Sequence, residues 1–91
     1  MTDRDVARRE AEKGNNILAS TVGNPDRLPR AVVECERAAR AAEAAATRAG
    51  FIVGMVPNDI VARQAAAEAR EDAKLARQTA TWAMNRAIEG Y

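Results

Sequence analysis

Alanine recurs along two long stretches of this chain at alternating intervals of four and three residues. The first stretch runs from Leu28 to Val56, and the second runs from Ala62 to Ala87. An apolar repeat that averages 3.5 residues and persists over about four heptads is typical of a coiled-coil seam. Because most seam residues are alanine, two helices can approach at the short end of the usual spacing. The pattern therefore predicts two long helices that pack through an alanine seam.

Local signals divide the chain into three predicted helices within one helical domain, residues 1–91. Helix 1 is expected at about 3–21, where Thr2 and Asp5 resemble a capping box, and residues 23–29 (GNPDRLP) break it. Helix 2 is expected at about 29–56 and helix 3 at about 59–89, with Pro57 in the turn and Gly90 as a natural stop. The predicted fold is an all-α, alanine-rich antiparallel helical hairpin with a shorter third helix at the N-terminus.

The end of helix 2 has two interpretations. Gly50 is a good residue to end a helix, and in that case helix 2 stops near residue 49 and residues 51–57 fold back over the bundle. The four-three spacing continues through Val53 and Val56, however, which favours a helix that runs to the turn. We expect the long helix and keep the earlier end as the alternative.

Charges beside the seam predict the direction and register of the hairpin. In an antiparallel pair the positions that follow the seam face each other, and one register joins Glu36 with Arg77 and Glu43 with Arg70. The same register places the turn at about residues 56–59, where Pro57 lies. Each exposed ion pair contributes only about 0–1 kcal/mol, so these pairs select a register more than they stabilise the fold.

Composition argues against an enzyme. The chain has no histidine and one cysteine, Cys35, which removes the usual general base and the common zinc ligands. Cys35 falls on the seam, where we expect a buried small side chain, and the carboxylates Glu68, Glu71 and Asp72 point mostly outward by register. We therefore predict no catalytic residue, no metal site and no cofactor.

The sequence also bears on the cellular location and the source of the protein. No segment has the roughly 18 apolar residues that span a bilayer, and the charged start lacks the apolar stretch of a signal peptide. We expect a cytoplasmic protein without a membrane span. Twelve arginines against two lysines, together with abundant alanine, indicate a GC-rich bacterial or phage genome.

The chain has little material for a thick core, because 22 of its 43 apolar residues are alanine. Helix 1 is expected to lie along one side of the hairpin, near Leu75 and Trp82, with Trp82 in the core. Since helix 1 is shorter than helices 2 and 3, it leaves the hairpin end uncovered. The residues exposed there are predicted to form an apolar patch that binds a partner: Phe51, Ile52, Met55, Ile60 and Val61.

Two functions follow from these patterns. The first is a non-enzymatic protein interaction or assembly module that binds another protein or itself through the apolar hairpin end. The alternative is a small subunit or inhibitor of a nucleoprotein complex that uses an arginine face of helix 2, made up of Arg30, Arg37, Arg40 and Arg48. Interspersed carboxylates and a net charge of +1 disfavour direct contact with nucleic acid.

Overall fold

Three α-helices and one 3₁₀ turn account for most of the chain, of which the computed structural model describes residues 2–89. Helix α1 covers Asp3–Ala19, the 3₁₀ turn covers Pro25–Arg27, α2 covers Leu28–Met55 and α3 covers Ile60–Glu89. The prediction of an all-α fold built from three helices is confirmed, and residues 2–89 contain no strand. Gly90, which was predicted to end the last helix, lies outside the described residues.

Helix α1 begins with the predicted capping box. The Thr2 hydroxyl accepts a hydrogen bond from the Asp5 backbone N–H, and the Asp5 carboxylate accepts one from the Thr2 backbone N–H. The carboxylate also accepts from the Thr2 hydroxyl at 2.8 Å, and these hydrogen bonds lower the pKa of Asp5 below its usual value. This reciprocal arrangement satisfies backbone donors that the first helical turn leaves unpaired.

The far end of α1 comes two residues earlier than expected. The Thr21 N–H and hydroxyl both bond the Leu18 carbonyl, at 3.1 and 2.7 Å, which replaces the α-helical bond with a tighter turn. Gly23 then takes a φ of +79°, a left-handed conformation that favours glycine. The chain can therefore reverse quickly into the 3₁₀ turn and α2.

The hairpin turn between α2 and α3 is short. Helix α2 continues through Gly50 to Met55, so the chain does not fold back after residue 49. The Val56 N–H still bonds the Ile52 carbonyl, and the Asp59 carboxylate then accepts the Ala62 N–H at 3.1 Å to cap α3. If α2 ended at Gly50, residues 50–55 would lose their regular helical backbone hydrogen bonds.

The core contains the predicted seam together with buried alanines outside it, among them Ala7 of α1 and Ala45 of α2, and it consists almost wholly of alanine. Ala39, Ala42 and Ala69 are completely buried, and Cys35 is the only larger side chain among the described residues that is fully buried. Val6, Ile17 and Leu18 of α1 and Val32 and Val53 of α2 pack around this centre. The small side chains explain a slender molecule with dimensions of 50 × 20 × 14 Å.

Consecutive helices run in opposite directions, so that α1 and α3 are parallel to each other. Near the middle of the bundle, Gly14 of α1 lies against Ala38 of α2 and Thr79 of α3. Near the hairpin turn, Arg48 of α2 pairs with Asp3, the first residue of α1. Residue numbers thus rise along α1 while they fall along the adjacent part of α2. Helix α3 packs against both and is antiparallel to α2.

Trp82 is not part of this core, contrary to the expectation. It is 55% exposed, and Leu75 on the same flank of α3 is 54% exposed. An interior filled by alanine at native density leaves no room for an indole ring between the helices. The ring instead lies on the surface, where the Arg86 guanidinium sits 5.2 Å from its centre.

Candidate interaction surface at the hairpin tip

The hairpin end carries the largest concentration of exposed apolar side chains in residues 2–89. The exposed fraction is 49% for Ile52 and between 74% and 76% for the other members of the group, which we call the tip patch: Phe51, Ile52, Met55, Ile60 and Val61. Val56, at 43% exposure, adjoins them. The spacing of the sequence assigns Val56 to the seam, but Val56 follows the last residue of α2 and is not buried between α2 and α3.

The tip patch is exposed because α1 is too short to reach it. Asp3 pairs with Arg48 at 3.0 Å, and Arg4 pairs with Glu68 at 3.3 Å, so the first turn of α1 lies at the level of these two residues. Exposure along α2 follows this boundary: Ala45 is completely buried, whereas Ile52, one heptad later, is 49% exposed. Two turns of bare hairpin therefore extend beyond α1.

The two sides of the bare hairpin differ. By register, Ile52 and Met55 of α2 and Val61 of α3 lie on the side that α1 occupies farther down the bundle. On the opposite side, Gly50, Val53 and Ile60 line an open groove together with the polar side chains Arg63, Gln64 and Arg70. The α1 side is the more continuous apolar surface.

The α2 part of the tip carries no ionisable group, whereas Asp59 and Arg63 flank Ile60 and Val61 on α3. No charged residue lies between Arg48 and Asp59, and Arg48 and Glu68 at the edge are already paired with α1. An apolar surface with a polar edge is the usual anatomy of a protein interface.

Only one of the two predicted ion pairs across the seam forms as expected. Arg77 donates to both carboxylate oxygens of Glu36 at 2.8 Å. The prediction for Glu43 is wrong in its partner, because Arg77 binds Glu43 as well, through Nη2 at 2.6 Å and Nε at 3.1 Å. Arg70 lines the groove near Gly50 and makes no ion pair within the described residues.

Side-chain direction explains this exchange. Helical side chains lean toward the N-terminus of their own helix. In opposed helices Arg77 therefore leans toward Glu43 while Glu43 leans toward Arg77, and Arg70 leans away toward the tip. Hydrogen bonds from Arg77 lower the pKa of Glu36 and of Glu43, and the two carboxylates raise the pKa of Arg77.

The arginines proposed for a nucleic-acid face are largely engaged with carboxylates. Arg30 pairs with Glu34, Arg40 pairs with Glu36, and Arg48 pairs with Asp3. Arg37 is exposed and makes no ion pair in the described part of the chain. The four residues therefore do not form a continuous positive surface.

Cys35 lies in the core, whereas Glu68 and Glu71 of α3 are exposed and Asp72 is half-buried. Cys35 is buried, its thiol donates to the Gly14 carbonyl at 3.4 Å, and burial raises the pKa of the thiol. Asp72 has a raised pKa, mainly because of desolvation. Across residues 2–89, no group of three or more histidine, cysteine or carboxylate side chains is arranged to hold a metal ion.

Comparisons of the chain with protein families, curated proteins and solved structures found no match. None of the helices described for residues 2–89 is both long and apolar enough to cross a membrane.

Proposed function

We propose that this protein is a non-enzymatic interaction module that binds another protein chain through the tip patch. The observation that supports the proposal is the exposure of five large apolar side chains on two adjoining helix ends, three of which belong to a stretch of α2 with no ionisable residue between Arg48 and Asp59. Concentrated exposure of large apolar side chains often marks an interface.

The rest of the molecule is consistent with a rigid support for this surface. Helices α2 and α3 extend without interruption from the end where α1 finishes to the tip, and alanine packing keeps them close. A small bundle with so thin a core also gains stability when a partner covers further apolar area. The shape presents the patch at one extremity of a molecule 50 Å long.

The proposal can be tested by site-specific photo-crosslinking. A benzophenone side chain is placed at Met55 in the tip patch or at Val33, which is 51% exposed on α2 far from the tip. Each protein is illuminated both in purified form and in an extract of cells that make it. We expect protein adducts from position 55 and few from position 33.

Competition makes the result specific. Where the adduct joins the chain to a different protein, excess unlabelled wild-type protein should remove it, whereas the Phe51→Asp/Met55→Asp variant should not. An adduct between two copies of the chain should persist, because the unlabelled copy can itself be the crosslinked partner. A matched variant with the same added charge, Val33→Asp/Ile88→Asp, changes two exposed apolar residues outside the patch and should compete like the wild type. Equal adducts from both positions, or none from position 55, would contradict the proposal.

A further inference from the structure

The groove that holds α1 continues past the start of that helix. Gly14 lies against Ala38 and Thr79, and the equivalent hairpin positions two heptads nearer the tip are Ile52 on α2 and Ala65 on α3. Met55 and Val61 flank these two residues. We call the four residues the tip groove: Ile52, Met55, Val61 and Ala65.

Exposure shows where α1 stops filling this groove. Along the α2 wall, Ala31, Ala38 and Ala45 are 3%, 2% and 0% exposed, and the next residue in the series, Ile52, is 49% exposed. The open part of the groove thus continues the surface against which α1 packs within the same molecule. A helix is consequently the element that fits it.

The chemistry of the tip groove restricts the occupant to an apolar helix face. All four of its residues are uncharged, and the charges at its inner edge, Arg48 and Glu68, are paired with Asp3 and Arg4. A charged occupant would lose hydration without gaining a partner. An apolar face meets no such penalty.

The length of the tip groove restricts the occupant further. From Arg48 to Met55 the hairpin extends seven residues, or about 10 Å of helix, which accommodates roughly two turns. The exposed end of α2 has this length and chemistry, because Phe51, Ile52 and Met55 lie on its last two turns. The chain therefore carries both the groove and a helix end that matches it.

Resting on the proposed function, we infer that the partner at the tip is a second copy of this chain, with the α2 end of each copy seated in the tip groove of the other. A two-fold pairing of this kind uses one surface twice and leaves neither groove open. With no charge in either groove, the pairing brings no like charges together.

Sedimentation of the purified chain over a wide range of concentrations tests this inference. We expect a monomer–dimer equilibrium that Met55→Asp weakens at least tenfold and Val33→Asp leaves unchanged, with helicity followed by circular dichroism in both. Because no ion pair crosses the interface, the dissociation constant should change by less than about threefold between low and high salt.

Spin labels determine which ends meet. Cys35 is fully buried, so a cysteine introduced at Met55 or Val22 is the thiol that reacts in the folded protein. Labels at position 55 should give intermolecular distances well under 30 Å. Labels at position 22, on the α1–α2 connection far from the tip, should give none shorter than the 50 Å length of one copy.

The outcomes separate this inference from the function on which it rests. A dimer with close labels at position 55 supports both. A chain that stays monomeric while position 55 still crosslinks to a different protein overturns the second-copy inference and leaves the proposed function standing. A monomer without tip adducts overturns both, and a dimer with close labels at position 22 overturns pairing through the tip.

Discussion

Arg77 of α3 donates two parallel hydrogen bonds to the Glu43 carboxylate of α2, from Nη2 at 2.6 Å and from Nε at 3.1 Å. Its remaining nitrogen, Nη1, binds Glu36 one heptad away. A planar guanidinium can satisfy two carboxylates in this way, whereas a lysine ammonium cannot. A single arginine thus joins the two long helices at two successive heptads of a core made of small side chains.

Replacement of this arginine should weaken the fold. We expect Arg77→Met to lower the free energy of unfolding by about 1 kcal/mol, since the arginine is partly exposed and two carboxylates lose their shared partner. Arg70→Met, one heptad away, removes an arginine without an ion pair in residues 2–89 and should cost less than about 0.5 kcal/mol. Urea titrations of the two variants measure the difference, and equal losses would contradict the assignment.

The same contact predicts how stability changes with acidity. Glu36 and Glu43 have lowered pKa values in the folded protein, from a usual value of 4.5, because Arg77 donates hydrogen bonds to them. A carboxylate with a lowered folded pKa contributes stability that is present above its unfolded pKa and is lost as pH falls through the folded one. Thermal unfolding temperatures should therefore fall below about pH 4.5, and more steeply for wild type than for Arg77→Met. Parallel curves would refute this origin of the acid sensitivity.

Gly14 offers a test of packing between α1 and the hairpin. A Cβ added there would lie 3.7 Å from the Ala38 Cβ and 3.8 Å from the Thr79 Cγ2, which is ordinary contact. Because alanine favours a helix over glycine by about 1 kcal/mol, Gly14→Ala should raise the free energy of unfolding by up to that amount. Gly14→Val, with two further methyl groups aimed at the same neighbours, should lower it. Chemical denaturation of both variants distinguishes the two effects, and a loss of stability in Gly14→Ala would show that the gap is tighter than described.

The regular features of the fold were predictable because they follow from local chemistry. Alanine periodicity identified the seam, and Thr2 with Asp5 identified the start of α1. What escaped prediction depends on three-dimensional placement. Arg77 rather than Arg70 binds Glu43 because side chains lean along their helices, and Trp82 lies outside because an alanine core has no space for it. A helical wheel records angular position but neither of these effects.

In the candidate site, too, some features were predictable from the sequence and others depended on three-dimensional placement. Relative helix lengths sufficed to predict that Phe51 and Met55 extend beyond α1. The continuity between the α1 groove and the tip groove required the contacts of Gly14 with Ala38 and Thr79, which set the register of α1 on the hairpin. Nothing in the periodicity of a short helix rich in polar residues specifies that register.

Oxidation of two methionines in the protein as it occurs in cells tests most directly whether the tip is covered by a partner. In the isolated chain Met55 is 75% exposed and Met84 is 45% exposed, so dilute purified protein treated with peroxide should form sulfoxide faster at Met55. If the tip patch is an interface, brief peroxide treatment of intact cells should reverse that order, with Met55 protected and Met84 serving as the internal control. A Met55 to Met84 ratio in cells equal to that of the dilute protein would mean that the tip is bare, and would contradict the account.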